Sequence, residues 1–194
     1  MISKLVEIMK GIIIPGNGNT EITESWFQNV KDGIQKLGLT LIAENMPDPD
    51  LARKEFWLPF IKEKLSIEDT VLIGHSSGAV AILRYLENNK CKLAVLVGAC
   101  YTDLGDEHEK KSGYFDDPWQ WNKIKSNAEK IVLFASRNDP YIPISEALFI
   151  KDKLEPEYHE YNDEGHFGAD VNKIEFPEII TVVKKFIERQ KNKL

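Results

Sequence analysis

A strand covered on both faces is apolar at every position rather than at every second one, and the runs Thr70 to Ile73, Leu93 to Val97 and Ile131 to Ala135 all read that way. Parallel pairing follows, because parallel strands are joined by crossovers that lay helices over both sheet faces. The stretches between them carry apolar residues at helical spacing. Trp26, Val30, Ile34 and Leu37 follow a first run from Gly11 to Pro15, with Ser25 and Gln28 set for a capping box and Gly38 placed to close the helix. A strand is expected from Leu39 to Ala43, after which Asp50 can cap a helical region that Pro59 must break or restart. Ala79 to about Leu86 reads as helix, Asp117-Pro118 opens a short one through Trp119 and Trp121, Pro143 opens another through about Leu154, and Phe176-Pro177 starts the last. Tyr158 to Tyr161 is a more polar strand, suited to an edge.

Six strands alternating with helices predict an α/β fold: a three-layer sandwich with a mostly parallel six-stranded sheet and helices on both faces. At 194 residues, with no repeat or linker, the chain is expected to be a single domain spanning 1–194. Ligands of such sheets bind beyond the carboxyl ends of the strands. A net charge of −6 argues against nucleic acid and anionic membrane surfaces as partners, since both are held by clustered Lys and Arg. The basic run Lys184, Lys185, Arg189, Lys191 and Lys193 is read as cations at a helix C-terminus. Cys91 and Cys100 form no C-x-x-C pair and are expected as buried free thiols in a reducing compartment. Lys4 and Lys10 precede no continuous apolar segment, and no run is long enough to span a bilayer, so a cytoplasmic protein is expected.

The apolar run ending at Ile73 passes straight into Gly74-His75-Ser76-Ser77-Gly78 and a helix. Strand, G-x-S-x-G and helix together form the nucleophile-elbow pattern, whose glycines relieve crowding on either side of a sharp turn. Ser76 is the expected nucleophile, and the Ser77 N–H, at a helix N-terminus, is an expected oxyanion donor. A serine hydroxyl needs a base, and in the order Ser, acid, His that base lies late in the chain. Of four histidines, His75 adjoins the serine and should face away from it, His108 lies in a charged segment, and His159 is within a strand. His166, after the last strand in Asp163-Glu164-Gly165-His166-Phe167, is the candidate. The orienting acid should follow the preceding strand, which selects Asp139 in Arg137-Asn138-Asp139-Pro140 over Asp163 in the histidine's own loop and over Asp116 and Asp117, placed to cap a helix. The glycine-rich exit of the first strand is expected to supply a second oxyanion N–H, from Asn17, with Gly16 or Gly18 as alternatives. Glu21 at the third glycine position of a dinucleotide fingerprint excludes that reading of Gly16-x-Gly18, and no metal or cofactor motif is present.

With these residues in place, the chain resembles the retinoblastoma-binding protein 9 family of small α/β-hydrolase-fold serine hydrolases, from about Gly11 to Lys185. The resemblance rests on Ile14-Pro15-Gly16-Asn17-Gly18, Asn45-Met46-Pro47-Asp48-Pro49, Ile73-Gly74-His75-Ser76-Ser77-Gly78-Ala79, Ser112-Gly113-Tyr114-Phe115, Pro118-Trp119-Gln120-Trp121 and Gly165-His166-Phe167. It implies Ser76, Asp139 and His166 as the catalytic residues. It also implies hydrolysis of small ester or amide substrates, amino-acid esters among them; attack by Ser76 on an acyl carbonyl would pass through an acyl-enzyme. The family is named for binding the retinoblastoma protein through an L-x-C-x-E segment. The matching stretch here, Leu65-Ser66-Ile67-Glu68-Asp69, lacks the cysteine and ends in aspartate, so the resemblance leaves retinoblastoma-protein binding unsupported. The segment 101–127 is expected to be a helical insertion near the active site, with Tyr114 and Trp119 lining the substrate cleft behind an acidic rim. The alternative to an enzyme is a catalytically silent hydrolase-fold module for protein interaction.

Overall fold

A computed structural model describes residues 9–65 and 70–193 of the chain. Residues 1–8, with Lys4, lie outside them, as do positions 66–69 of the Leu65-Ser66-Ile67-Glu68-Asp69 stretch. The elements run β1 (Lys10–Ile14), α1 (Phe27–Gln35), β2 (Thr40–Ile42), α2 (Lys54–Lys64), β3 (Thr70–His75), α3 (Ser77–Leu86) and β4 (Cys91–Val97). They continue through α4 (Glu107–Lys111), α5 (Trp121–Asn127), β5 (Ala128–Ser136), α6 (Ile144–Leu154), β6 (Glu157–Tyr161) and α7 (Pro177–Lys191). The sheet order is β2-β1-β3-β4-β5-β6, every neighbouring pair is parallel, and the polar strand β6 is an edge.

The unbroken apolar runs are explained by two cores. Successive strand residues alternate between sheet faces, so Ile12, Leu72, Leu96 and Leu133 join one core with Trp57 and Ile61 of α2 and Ile150 of α6. Their neighbours Ile13, Val71, Ile73, Val95 and Phe134 join the other, with Val30 and Ile34 of α1 and Val182 and Phe186 of α7. Both faces are thus dry, and the site is left to the strand ends. Strand order reverses around β1, which has β2 on one side and β3 on the other. Chain leaving β1 and chain leaving β3 therefore flank a crevice at their carboxyl ends.

Local expectations fail where a side chain found a different partner. Ser25 adopts a left-handed φ of 47° outside α1, whose N-cap is Trp26, and Gln28 donates instead to the Ile22 carbonyl, so the capping box does not form. Pro59 does not break α2 but lies inside it, where it removes one main-chain donor while Trp57 and Ile61 anchor the buried face. Asp48, not Asp50, organises the start of α2, accepting from the Arg53 main chain at 3.0 Å and from its guanidinium at 2.9 Å. That hydrogen-bonded guanidinium holds the Asp48 carboxyl below its ordinary value. Trp119 precedes its helix, which begins at Trp121. Cys91 and Cys100 are free and buried, and burial pushes the Cys91 thiol up to about 12. Among the described residues no helix is long and apolar enough to cross a membrane.

Candidate active site

The turn from β3 into α3 holds Ser76 at φ 53° and ψ −122°, a conformation that costs a non-glycine residue about 1–3 kcal/mol. Its surroundings enforce it: the Ser76 N–H donates to the Val97 carbonyl at 2.9 Å, and its carbonyl accepts from Ala79 at 2.8 Å and Val80 at 3.1 Å. A Cβ on Gly74 would lie 2.5 Å from the Gly78 carbonyl, and one on Gly78 would penetrate the Ile14 carbonyl oxygen. Both glycines are therefore steric requirements of bringing β1, β3 and α3 together at one point. The Ser77 N–H is among the first four of α3, which have no intrahelical acceptor.

His166 follows β6 and is almost wholly buried. Its Nδ1 lies 2.7 Å from Asp139 Oδ2, with side-chain exposures of 11% and 3%. A carboxylate only accepts, so Nδ1 carries the proton and Nε2 presents a lone pair. The other Asp139 oxygen, Oδ1, accepts from the Tyr141 and Ile142 N–H groups at 2.9 Å each, which fixes the carboxylate's orientation. The histidine's main chain is held as firmly: its N–H donates to Asp170 at 2.6 Å, and its carbonyl accepts from His75 Nε2 at 2.7 Å. Ser136 and Asn138 tie the two loops together, the Glu164 N–H donating to Ser136 Oγ and the Gly165 N–H to Asn138 Oδ1.

His75 does not simply turn away, as its place beside Ser76 suggested. Its ring is buried against Trp26 and Phe27, with its centroid 4.8 Å from that of His166. Burial, with the nearby His166, pushes it down to about 3, so it is a neutral imidazole whose Nε2–H props the His166 carbonyl. His159 stacks on Phe134 on the sheet face, and His108 lies 3.7 Å from Asp50. Asp163 is exposed, and Asp116 and Asp117 pair with Lys54.

An open cleft of about 650 Å³ collects Ser76, Ser77, His166 and Asn17. Of the alternatives to Asn17, Gly18 is already committed, its N–H donating to the Asp50 carbonyl at 3.1 Å. Tyr114 and Trp119 do not line the cleft, a correction to the expectation for the insertion. Tyr114 is fully buried in the core. The Trp119 indole N–H donates to the Tyr101 carbonyl at 2.8 Å, and its ring covers the Arg84 guanidinium at 3.6 Å. Arg84, buried on α3, also donates to the Tyr114 and Asp117 carbonyls and pairs with Glu87 at 2.7 Å. The insertion thus clothes a buried cation with the Trp119 ring and the Tyr114 and Asp117 carbonyls, a task that could not be seen without its partner 30 or more residues upstream. The insertion reaches the cleft through Leu104, Asp106, His108 and Glu109 instead. No metal-ligand cluster is gathered among the described residues.

The family profile described as "Serine hydrolase" matches residues 11–185. Serine hydrolase RBBP9 of Rattus norvegicus is 42% identical over 181 residues, covering 92% of this chain and 95% of its own. Putative hydrolase YdeN of Bacillus subtilis is 27% identical over 177 residues. The crystal structure of the B. subtilis ydeN product superposes with a TM-score of 0.83 at 25% identity, covering 93% of this chain and 99% of that one. Est1E of Butyrivibrio proteoclasticus, solved with ferulic acid, superposes with a TM-score of 0.73 at 13% identity, covering 95% and 90%, a likeness of fold alone. The architecture is that of the α/β hydrolases.

Proposed function

The chain belongs to the serine hydrolase family, and from that premise we propose that Ser76 is the nucleophile, His166 its general base and Asp139 the acid that orients it. Ser76 Oγ attacks the carbonyl carbon of a small ester or amide while His166 Nε2 takes the hydroxyl proton. The carbonyl oxygen, now negative, is held by the main-chain N–H groups of Ser77 and Asn17. Collapse expels the alcohol or amine, which leaves with the proton carried by His166, and the acyl group remains on Ser76. Water, deprotonated by the same imidazole, then releases the acid. Amino-acid esters are the substrates to try first, given the likeness to RBBP9. Retinoblastoma-protein binding forms no part of the proposal. A cytoplasmic setting fits the two free, buried thiols.

One observation carries the reading: the cleft that holds a strained serine also holds an imidazole whose far nitrogen is anchored by a buried carboxylate at 2.7 Å. A fluorophosphonate probe tests it. The protein should label on one serine, and Ser76→Ala should abolish labelling while leaving the thermal melt unchanged. A folded protein that never labels would mark a silent interaction module. A panel of acyl and aminoacyl esters then sorts the substrate class.

A further inference from the structure

The donor assigned to Asn17 depends on how firmly its loop is held, and the loop is held from two directions. On one side the Gly18 and Asn19 N–H groups donate to the Asp50 and Pro49 carbonyls at 3.1 Å each, and Thr20 donates to the Asn17 carbonyl through both its N–H and its hydroxyl. On the other, the Asn17 side chain reaches across the cleft and its Nδ2 donates to Glu109 Oε1 at 2.7 Å, a contact spanning 92 positions of sequence.

Glu109 is itself immobilised. Asp106 caps α4, its Oδ1 accepting from the His108 and Glu109 N–H groups at 2.7 and 3.1 Å. The Ser112 hydroxyl donates to the Glu109 carbonyl at 2.6 Å, and the Ser112 carbonyl accepts from the Lys54 N–H at the start of α2. Glu109 is a half-buried carboxylate at the cleft wall, and burial raises its pKa although the Asn17 amide works in the opposite direction. Desolvating a carboxylate is unfavourable, so its retention there fits a fixed acceptor rather than a solvated rim charge.

We infer that Glu109 is a positioning residue: by gripping the Asn17 side chain it sets the direction of the Asn17 main-chain N–H in the oxyanion pocket. The inference rests on the proposed roles of Ser76 and Asn17, and it gives the insertion a part in the reaction that does not require contact with substrate. Glu109 acts on the developing oxyanion only through Asn17. Its loss should therefore lower the rate of acylation and leave ground-state binding nearly unchanged.

The test uses the full chain with 4-nitrophenyl acetate and, in parallel, the rate of fluorophosphonate labelling. Glu109→Ala and Asn17→Ala each remove the grip but keep the amide. Each should lower kcat about tenfold, less than the 10²–10³ that deleting an oxyanion donor costs, with KM within about twofold. Because both break one contact, the double variant should be no slower than either single. Glu109→Gln keeps an acceptor for Asn17 and should stay within about threefold of the parent in kcat. Unchanged kcat in the single variants, a double variant about a hundredfold down, or a Gln variant as slow as the Ala variant would each overturn the inference. So would a rise in KM at unchanged kcat, which would make Glu109 a substrate contact. If Glu109→Ala does not fold, Asn17→Ala and Glu109→Gln still decide the matter. Failure of the parent protein to label or turn over would instead remove the serine reading on which the inference stands.

Discussion

Replacing Asp139 by Asn alters one atom of a side chain whose every contact is directional. Oδ1 accepts from two main-chain N–H groups at 2.9 Å each, and Oδ2 faces the His166 Nδ1 at 2.7 Å. An asparagine that keeps its oxygen on the Tyr141 and Ile142 amides must point its NH₂ at the imidazole, which then accepts at Nδ1 and carries its proton on Nε2. A protonated Nε2 in a neutral ring cannot take the serine proton. The opposite orientation restores the useful tautomer but sets an NH₂ donor against two N–H donors. The Tyr141 N–H can turn to water, but leaving the buried NH₂ and the part-buried Ile142 N–H unpaired costs about 1–3 kcal/mol each, so roughly 4 kcal/mol in total. At about 1.4 kcal/mol per decade, the competent orientation is populated about one time in 10³. Asp139→Asn should therefore lower kcat on an ester substrate about 10³-fold with KM little changed, and cost only about 1 kcal/mol in urea unfolding, since all three contacts persist with one made neutral. The assay is steady-state hydrolysis beside a urea melt. A variant that retains more than about a tenth of the parental kcat would show that the carboxylate does not control the imidazole's proton.

The buried His75 predicts an acid-labile fold. Its folded value of about 3 lies below the unfolded 6.5, so between those pH values the unfolded chain binds a proton that the folded chain refuses, and stability falls as pH drops. The fall should approach about 1.4 kcal/mol per unit, roughly 2–3 kcal/mol from pH 6.5 to 4.5. His75→Asn keeps a donor for the His166 carbonyl and should flatten the pH dependence of the urea midpoint. An unaltered slope would assign the acid sensitivity elsewhere. Trp119→Ala should lower stability by about 2–3 kcal/mol, because it uncovers Arg84, and leave KM for a small ester unchanged. A fivefold higher KM at intact stability would return Trp119 to the cleft.

What could be read from the string was whatever depends on near neighbours. Gly74 and Gly78 announce the turn because the crowding they relieve is set within five residues and one adjoining strand. Unbroken apolar runs announce a doubly covered sheet because alternation along a strand is a local rule. Chain order points to Asp139 and His166, and the structure brings the two side chains within 2.7 Å. What could not be read depends on partners distant in sequence. Tyr114 and Trp119 look like cleft aromatics until the core closes over the one and Arg84 is placed beneath the other. Glu109 looks like one more acid in a charged stretch until Asn17 is brought across to it, and Asn138 looks like a turn former until the Gly165 N–H meets its side chain. Pro59 reads as a break because sterics condemn it locally, whereas tertiary burial of Trp57 and Ile61 carries the helix through.

Arg84 divides the insertion into halves with different freedom to vary. Downstream of Gly113, Tyr114 and Asp117 lend their carbonyls to a guanidinium that the elbow helix has sealed from water, and exchanging that portion would strand the cation together with Glu87. Upstream, Thr102 to His108 border the opening with few obligations to the interior beyond the Glu146 bonds to Thr102 and the Asp106 cap. Anyone retailoring selectivity in this scaffold should graft between Thr102 and Asp106 and leave both of those residues and the remainder untouched, much as a lock is rekeyed at its pins and not at its housing.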